Sequence, residues 1–314
     1  MPWWLMSGAA SCKMTTSPPD VTSTVSWREL QGEATARLAA AGVDRPAVDA
    51  RWIAQEASGL EGAEALLGWD EPATVRGVAA FDAMVARRVG GEPLQYVLGR
   101  WGFRTLDLLV DRRVLIPRPE TEHVVGLALA ELDLLASRRA GSPLLVVDLG
   151  TGSGAIGLSI AAERSGTSVW ATDISADALA VASANIAGLG LAGTRVRLAE
   201  GSWFAALPPE LVGSVDLIVS NPPYVAPGDP LPREVADWEP AGALISGPTG
   251  LEALGIVVDH APHWLRRPGV VVVELAPDQA EAVADAARSV GFTDVRVELD
   301  LTGRPRAVVA RIDE

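Results

Sequence analysis

Apolar and polar positions recur with a helical period at the start of the chain and with a strand period further along. Ser26-Trp27-Arg28-Glu29 has the form of a capping box, a hydroxyl at the N-cap and a carboxylate three positions on. It predicts a helix that runs to about Gly42. Pro46 suits a first helical turn and predicts a second helix to about Ser58. A third is expected after Pro72, where Val78, Phe81, Val85 and Val89 share one face and Gly90-Gly91 stops the chain. Three short amphipathic helices imply a small bundle.

From Leu106 the period shortens to two. Leu106, Leu108 and Val110 face one way, Asp111-Arg112 offers a turn, and Val114-Leu115-Ile116 reads as a returning strand ended by Pro117 and Pro119. Beyond it, near-continuous apolar runs at 144–149, 169–174, 215–220 and 270–275 read as strands buried on both faces. Helices are expected between them at 155–165, 176–187, 251–264 and 279–290. This alternation implies an α/β fold with a doubly wound, mostly parallel sheet. The expected organisation is a disordered lead-in over 1–25, a helical domain over 26–95, a β-hairpin linker over 96–117 and an α/β domain over 118–314.

The first chemical signal follows the strand at 144–149. Gly150-Thr151-Gly152-Ser153-Gly154 opens a helix, and glycines there let a ligand approach the backbone without Cβ clashes. The spacing is Gly-x-Gly-x-Gly and no lysine follows, which disfavours a phosphate-cradling loop. Asp173 ends the next strand, where a carboxylate can accept both hydroxyls of a ribose. The bland alternative is a tight turn with an ordinary capping acid. The glycine loop and Asp173 together favour a nucleoside ligand, either a dinucleotide or S-adenosylmethionine.

Asn221-Pro222-Pro223-Tyr224 follows the strand at 215–220 and should face the same crevice. An amide nitrogen is a poor nucleophile, because its lone pair is delocalised. The Asn221 side-chain carbonyl and the Pro222 backbone carbonyl can hold the two hydrogens of an amide NH2, and Tyr224 offers a flat face for it. Two prolines keep the turn stiff, so orientation precedes reaction. A turn that merely ends a strand is the competing reading, weakened by the glycine loop and the ribose acid upstream. This turn selects S-adenosylmethionine as the cofactor.

Composition narrows the partners. The formal net charge is -14, against the basic surface that nucleic-acid binding usually needs. Cys12 is the lone cysteine, so no intrachain disulfide forms. His123, His260 and His263 make no metal-ligand pattern with it, and no metal is expected. No apolar run reaches the roughly 20 residues of a membrane helix, and the first residues lack a basic signal-peptide start. A cytoplasmic location is the expectation.

The glycine loop and Asn-Pro-Pro-Tyr together resemble class I methyltransferases that act on exocyclic or amide nitrogens. Further stretches resemble one family among them, the bacterial peptide chain release factor glutamine methyltransferases. These are the run at 91–99, the Pro-bounded run at 115–122, Ser202-Trp203-Phe204, Glu239-Pro240 and the run at 300–306. The resemblance implies a helical N-terminal domain, a hairpin linker and a seven-stranded class I methyltransferase domain. It implies methylation of the glutamine in the Gly-Gly-Gln motif of class I release factors. By position, Gly150 to Gly154, Asp173, Trp203 and Asn221 would contact S-adenosylmethionine, and Asn221 to Tyr224 the glutamine amide. Ser202 stands where the family often has aspartate. Arg118 and Glu120, bounded by prolines, could brace the site or touch the substrate loop, and the competing expectation is an interdomain ion pair. A ribosomal protein glutamine methyltransferase shares this site logic, and an N6-adenine or N2-guanine nucleic acid methyltransferase would need a basic channel.

Overall fold

The computed structural model describes residues 24–139 and 141–313, so most of the lead-in expected over 1–25 lies outside the described residues. The chain divides into two compact units, one ending at Val89 and the other beginning at Gly90.

The first unit is helical. Helix α1 (Trp27–Ala40) starts with the capping box in place, Ser26 accepting from the Glu29 N–H and the Glu29 carboxylate accepting from the Ser26 N–H at 2.8 Å. Helix α2 (Pro46–Ser58) carries Pro46 at its first position and ends on Gly59 in the left-handed region. A short α3 (Gly62–Gly68), not foreseen from the periodicity, precedes α4 (Val75–Val89). On α4, Phe81 and Val85 are buried, whereas Val89 is exposed and Arg88 is buried in its stead. Arg88 escapes an unpaired charge by donating to Asp49 of α2 at 2.7 Å.

The second unit opens with α5 (Leu94–Leu98), β1 (Arg100–Phe103) and β2 (Leu106–Leu109). The hairpin turn is therefore at Arg104-Thr105, one strand earlier than expected, and 114–116 forms no strand. Arg104 sits at a φ of 52°, a conformation few side chains adopt unaided. Tertiary partners hold it: its N–H donates to Glu122 and its guanidinium grips both oxygens of Glu163. Asp111-Arg112 does turn, with the Val114 N–H bonded to the Asp111 carbonyl. The buried chain beyond is satisfied by side chains, Tyr96 donating to the Val114 carbonyl and the Ile116 N–H donating to Glu239.

Then come α6 (Pro119–Arg138), β3 (Leu144–Leu149), α7 (Ala155–Glu163), β4 (Thr167–Asp173), α8 (Ala176–Gly188), β5 (Val196–Glu200) and β6 (Val215–Ser220). They are followed by α9 (Arg233–Trp238), α10 (Glu252–Trp264), β7 (Leu265–Glu274), α11 (Ala280–Ser289), β8 (Asp294–Leu299) and β9 (Pro305–Ile312). Pro119 at the first turn of α6 starts a helix where the sequence pattern gave only an end to the hairpin.

The sheet order is β5-β4-β3-β6-β7-β9-β8, parallel except for β9, which runs antiparallel to both neighbours. Alternate side chains feed two cores. Val146, Val169, Leu217, Val219 and Val272 pack on the α6, α7 and α8 side; Val147, Leu149, Ile218, Val271 and Val273 pack on the α10 and α11 side. The chain passes from β3 outward through β4 and β5, then crosses to β6. The switch point thus lies between β3 and β6, and its crevice is at their carboxyl ends.

Candidate active site

The glycine loop is the direct continuation of β3. The Gly150 and Thr151 N–H groups both donate to the Thr172 carbonyl at 2.9 Å, stitching the loop to β4. Gly152 has a φ of 56° and points its N–H at Asp173, which accepts it at 2.9 Å while its second oxygen accepts from the Ser175 N–H. Asp173 therefore shapes the loop as well as presenting charge beside it. Gly154 begins α7 at a φ of 87°, and a Cβ there would come within 2.7 Å of Leu158.

Under the loop lies Asp148, fully buried. One oxygen accepts from the Thr151 hydroxyl at 2.6 Å and from the Gly157 N–H at 2.9 Å; the other finds no partner among the described residues. Burial pushes this carboxyl up to about 6. The buried Thr172 hydroxyl likewise has no partner. Of these two orphaned groups, the Thr172 hydroxyl belongs to a residue that lines the adjoining cavity, whereas Asp148 lies beneath the loop.

A cavity of about 480 Å³ opens here, within the range of small-molecule sites. Gly150, Gly152, Asp173, Trp203, Asn221 and Pro223 all line it, together with Ser202 and Glu252. Trp203 is held at a φ of 49°, a strained value for a bulky residue, with its indole 3.9 Å from where a Gly150 Cβ would lie. The remaining candidates stand behind this wall. Thr151 braces Asp148, the Ser153 carbonyl accepts from Asn185, Gly154 caps α7 and Pro222 is buried. The Tyr224 carbonyl accepts from Gln279 at 2.8 Å.

Two residues that sequence reasoning did not single out meet Asn221. Its side-chain amide donates to the Thr121 hydroxyl at 3.2 Å, and that hydroxyl donates to Glu274 at 2.7 Å. Glu274 ends β7 with no exposed surface, and its other oxygen lies 3.4 Å from the Tyr224 hydroxyl. Burial lifts this carboxyl to about 7. Burial, with the Glu274 charge beside it, pushes Tyr224 up to about 12. The signal for Glu274 was available: an acid closing an apolar strand at 270–273, just as Asp148 interrupts 144–149.

Arg118 is not an interdomain partner. It binds Glu239 at 2.5 Å inside the second unit, and Glu239 also holds the Ile116 N–H. Glu120 lies 3.9 Å from Arg304. His123 falls on α6 and both other histidines on α10, and the described residues contain no group of acids, histidines or cysteines able to hold a metal.

The lining sets the carboxylates of Asp173 and Glu252 and an indole against a single cation, Arg113, whose guanidinium is already paired with Asp111 at 2.6 Å, which suits a phosphate-free nucleoside with a positive centre. Set at the switch point of this seven-stranded sheet, that cavity defines the class: an S-adenosylmethionine-dependent class I methyltransferase. The hMettl16 catalytic domain, solved in complex with MAT2A 3'UTR hairpin 6, has the same fold at a TM-score of 0.51. It is 18% identical, and the match covers 73% of this chain and 81% of that one. Residues 132–233 match the methyltransferase small domain and residues 29–99 the PrmC N-terminal domain. The release factor glutamine methyltransferase of Xylella fastidiosa (strain Temecula1) is 43% identical over 277 residues, 88% of this chain and 97% of that protein. That of Mycolicibacterium smegmatis is 40% identical over 279 residues, 88% and 94% respectively. The chain belongs to the release factor glutamine methyltransferase family.

Proposed function

We propose that this chain methylates the side-chain amide nitrogen of the glutamine in the Gly-Gly-Gln motif of class I peptide chain release factors. The observation that carries the reading is the Asn221–Tyr224 turn that follows β6, whose Asn221 and Pro223 line the same cavity as Gly150, Gly152 and Asp173. Gly150, Gly152, Asp173 and Trp203 would hold the methyl donor, with Thr151, Ser153 and Gly154 fixing the loop. When bound, S-adenosylmethionine supplies an electrophilic methyl carbon on a sulfonium sulfur. Asn221 and the Pro222 carbonyl accept the two hydrogens of the substrate amide and draw charge onto its nitrogen, while Pro223 and Tyr224 bound the slot. No general base is needed before transfer, since the proton leaves the more acidic methylated amide. A cytoplasmic place follows from a substrate used in translation. Among the described residues no helix is long and apolar enough to cross a membrane.

The test is transfer of label from S-adenosylmethionine to a purified class I release factor, with the modified residue located by mass spectrometry. Label on the Gly-Gly-Gln glutamine is expected, and its loss in Asn221→Ala; label only on a ribosomal protein or on nucleic acid would overturn the reading. The helical unit is assigned to partner recognition. Tyr96, Phe103 and Leu108 belong to the core of the second unit, so the cut that tests this falls at Gly90 rather than after the hairpin. A chain begun there should bind S-adenosylmethionine and methylate its protein partner poorly.

A further inference from the structure

The Asn221 turn is not held by its prolines alone. A carboxamide can rotate to show either its oxygen or its NH2 to a substrate, and for an amide substrate only the oxygen serves. What fixes the choice lies outside the turn. The Thr121 hydroxyl has one proton, and it sits between the Asn221 amide nitrogen at 3.2 Å and Glu274 at 2.7 Å. If the proton goes to Glu274, the hydroxyl oxygen accepts from the Asn221 NH2, and the Asn221 oxygen is left for the substrate. If Glu274 instead donates into the hydroxyl, the hydroxyl proton turns to Asn221, and the amide is stable only when rotated. It then offers NH2 to NH2, and the substrate is repelled.

We propose that Thr121 and Glu274 are positioning residues whose chain of hydrogen bonds sets the orientation of the Asn221 amide, with the Glu274 carboxylate as its anchor. The inference rests on the reading that Asn221 receives the substrate amide. Neither residue lines the donor cavity, so their effect is separable from donor binding. Thr121 comes from the first turn of α6 and Glu274 from the end of β7, both buried, so neither can swing away. The charged and titratable groups facing Glu274 are Glu120 of α6, Arg306 of β9 and Tyr224 of the turn itself. Glu120 opposes its ionisation and Arg306 favours it.

The experiment compares the full-length wild type with Thr121→Val, Thr121→Ser, Glu274→Gln and Asn221→Ala. It uses labelled S-adenosylmethionine and a class I release factor, with donor affinity measured by calorimetry. Thr121→Val should lower kcat roughly tenfold to a hundredfold, the scale of one lost buried hydrogen bond, with donor Kd unchanged. Thr121→Ser should restore kcat to within about threefold, because it keeps the hydroxyl. Wild-type kcat should rise with pH through the range where Glu274 ionises, and Glu274→Gln should flatten that limb. A wild-type kcat in Thr121→Val, a parallel loss of donor affinity, or an unchanged pH limb in Glu274→Gln overturns the inference. Full activity in Asn221→Ala removes both the inference and the reading beneath it. Loss in Asn221→Ala with no effect at 121 or 274 removes the inference alone.

Discussion

Replacing Asp173 with asparagine keeps the side chain's shape and removes its charge. In the wild type its two oxygens each accept a backbone N–H at 2.9 Å, from Gly152 and from Ser175. Asparagine has one acceptor oxygen, so its NH2 must face one of those N–H groups whichever way it turns. The loop loses a charge-assisted bond on one side, and, on the proposed reading of the site, a bound ribose would lose its charged acceptor. Hydrogen bonds to charged groups contribute ~1.5–3 kcal/mol, so donor Kd should rise roughly ten- to 150-fold. Because the Gly152 N–H is only half-buried, water can replace part of what the fold loses, and the melting temperature should move little. Titration calorimetry with S-adenosylhomocysteine reads the first number and a thermal scan the second. A Kd within about threefold of wild type would show that neither the loop nor the ribose depends on this charge, and the cofactor assignment would fall.

Glu274→Gln should stabilise the fold as pH rises. Burial lifts the folded carboxyl from 4.5 to about 7, so its stabilising contribution is complete below 4.5 and is lost as pH climbs toward 7. The melting temperature of the variant relative to wild type should therefore increase across that window, and a constant difference would contradict the assigned burial. Asp49→Ala removes the buried charge-assisted bond that Arg88 makes to Asp49 and should cost about 1.5–3 kcal/mol by urea denaturation. Ser26→Ala removes the α1 cap and should cost about 1 kcal/mol in the same assay. Gly154→Ala forces a side chain into the left-handed region and against Leu158, so both stability and donor affinity should fall; a neutral result would mean the loop is freer than its φ implies.

Where local chemistry dictates structure, the residues alone were legible. Ser26 and Glu29 cap α1, Pro46 opens α2, and the apolar runs at 144–149 and 215–220 are β3 and β6 to the residue. The failures share a cause in distant contacts. Arg104 makes its turn because Glu122 and Glu163 hold it, and neither is near it in sequence. Val89 continued the apolar stripe of α4, but the seat went to Arg88 because Asp49 was waiting on another helix. The edge strands β5 and β8 are half-buried and mixed in polarity, so no continuous apolar run announces them. At the site, Asn221 and Asp173 stood out because each ends a strand in a recognisable turn. Thr121 did not, since its role exists only once α6 lies across the ends of β6 and β7.

Asn221 and Glu274 stand 100 and 153 residues from Thr121 along the chain. During synthesis the Asn-Pro-Pro-Tyr turn leaves the ribosome well before the acid that anchors it. A nascent chain ending short of β7 therefore carries the glycine loop and the Asn221 turn without the acid that completes the hydrogen-bond chain to Asn221. Competence for transfer arrives late, with closure of the sheet, so an incomplete polypeptide has no finished active site to present to its partner.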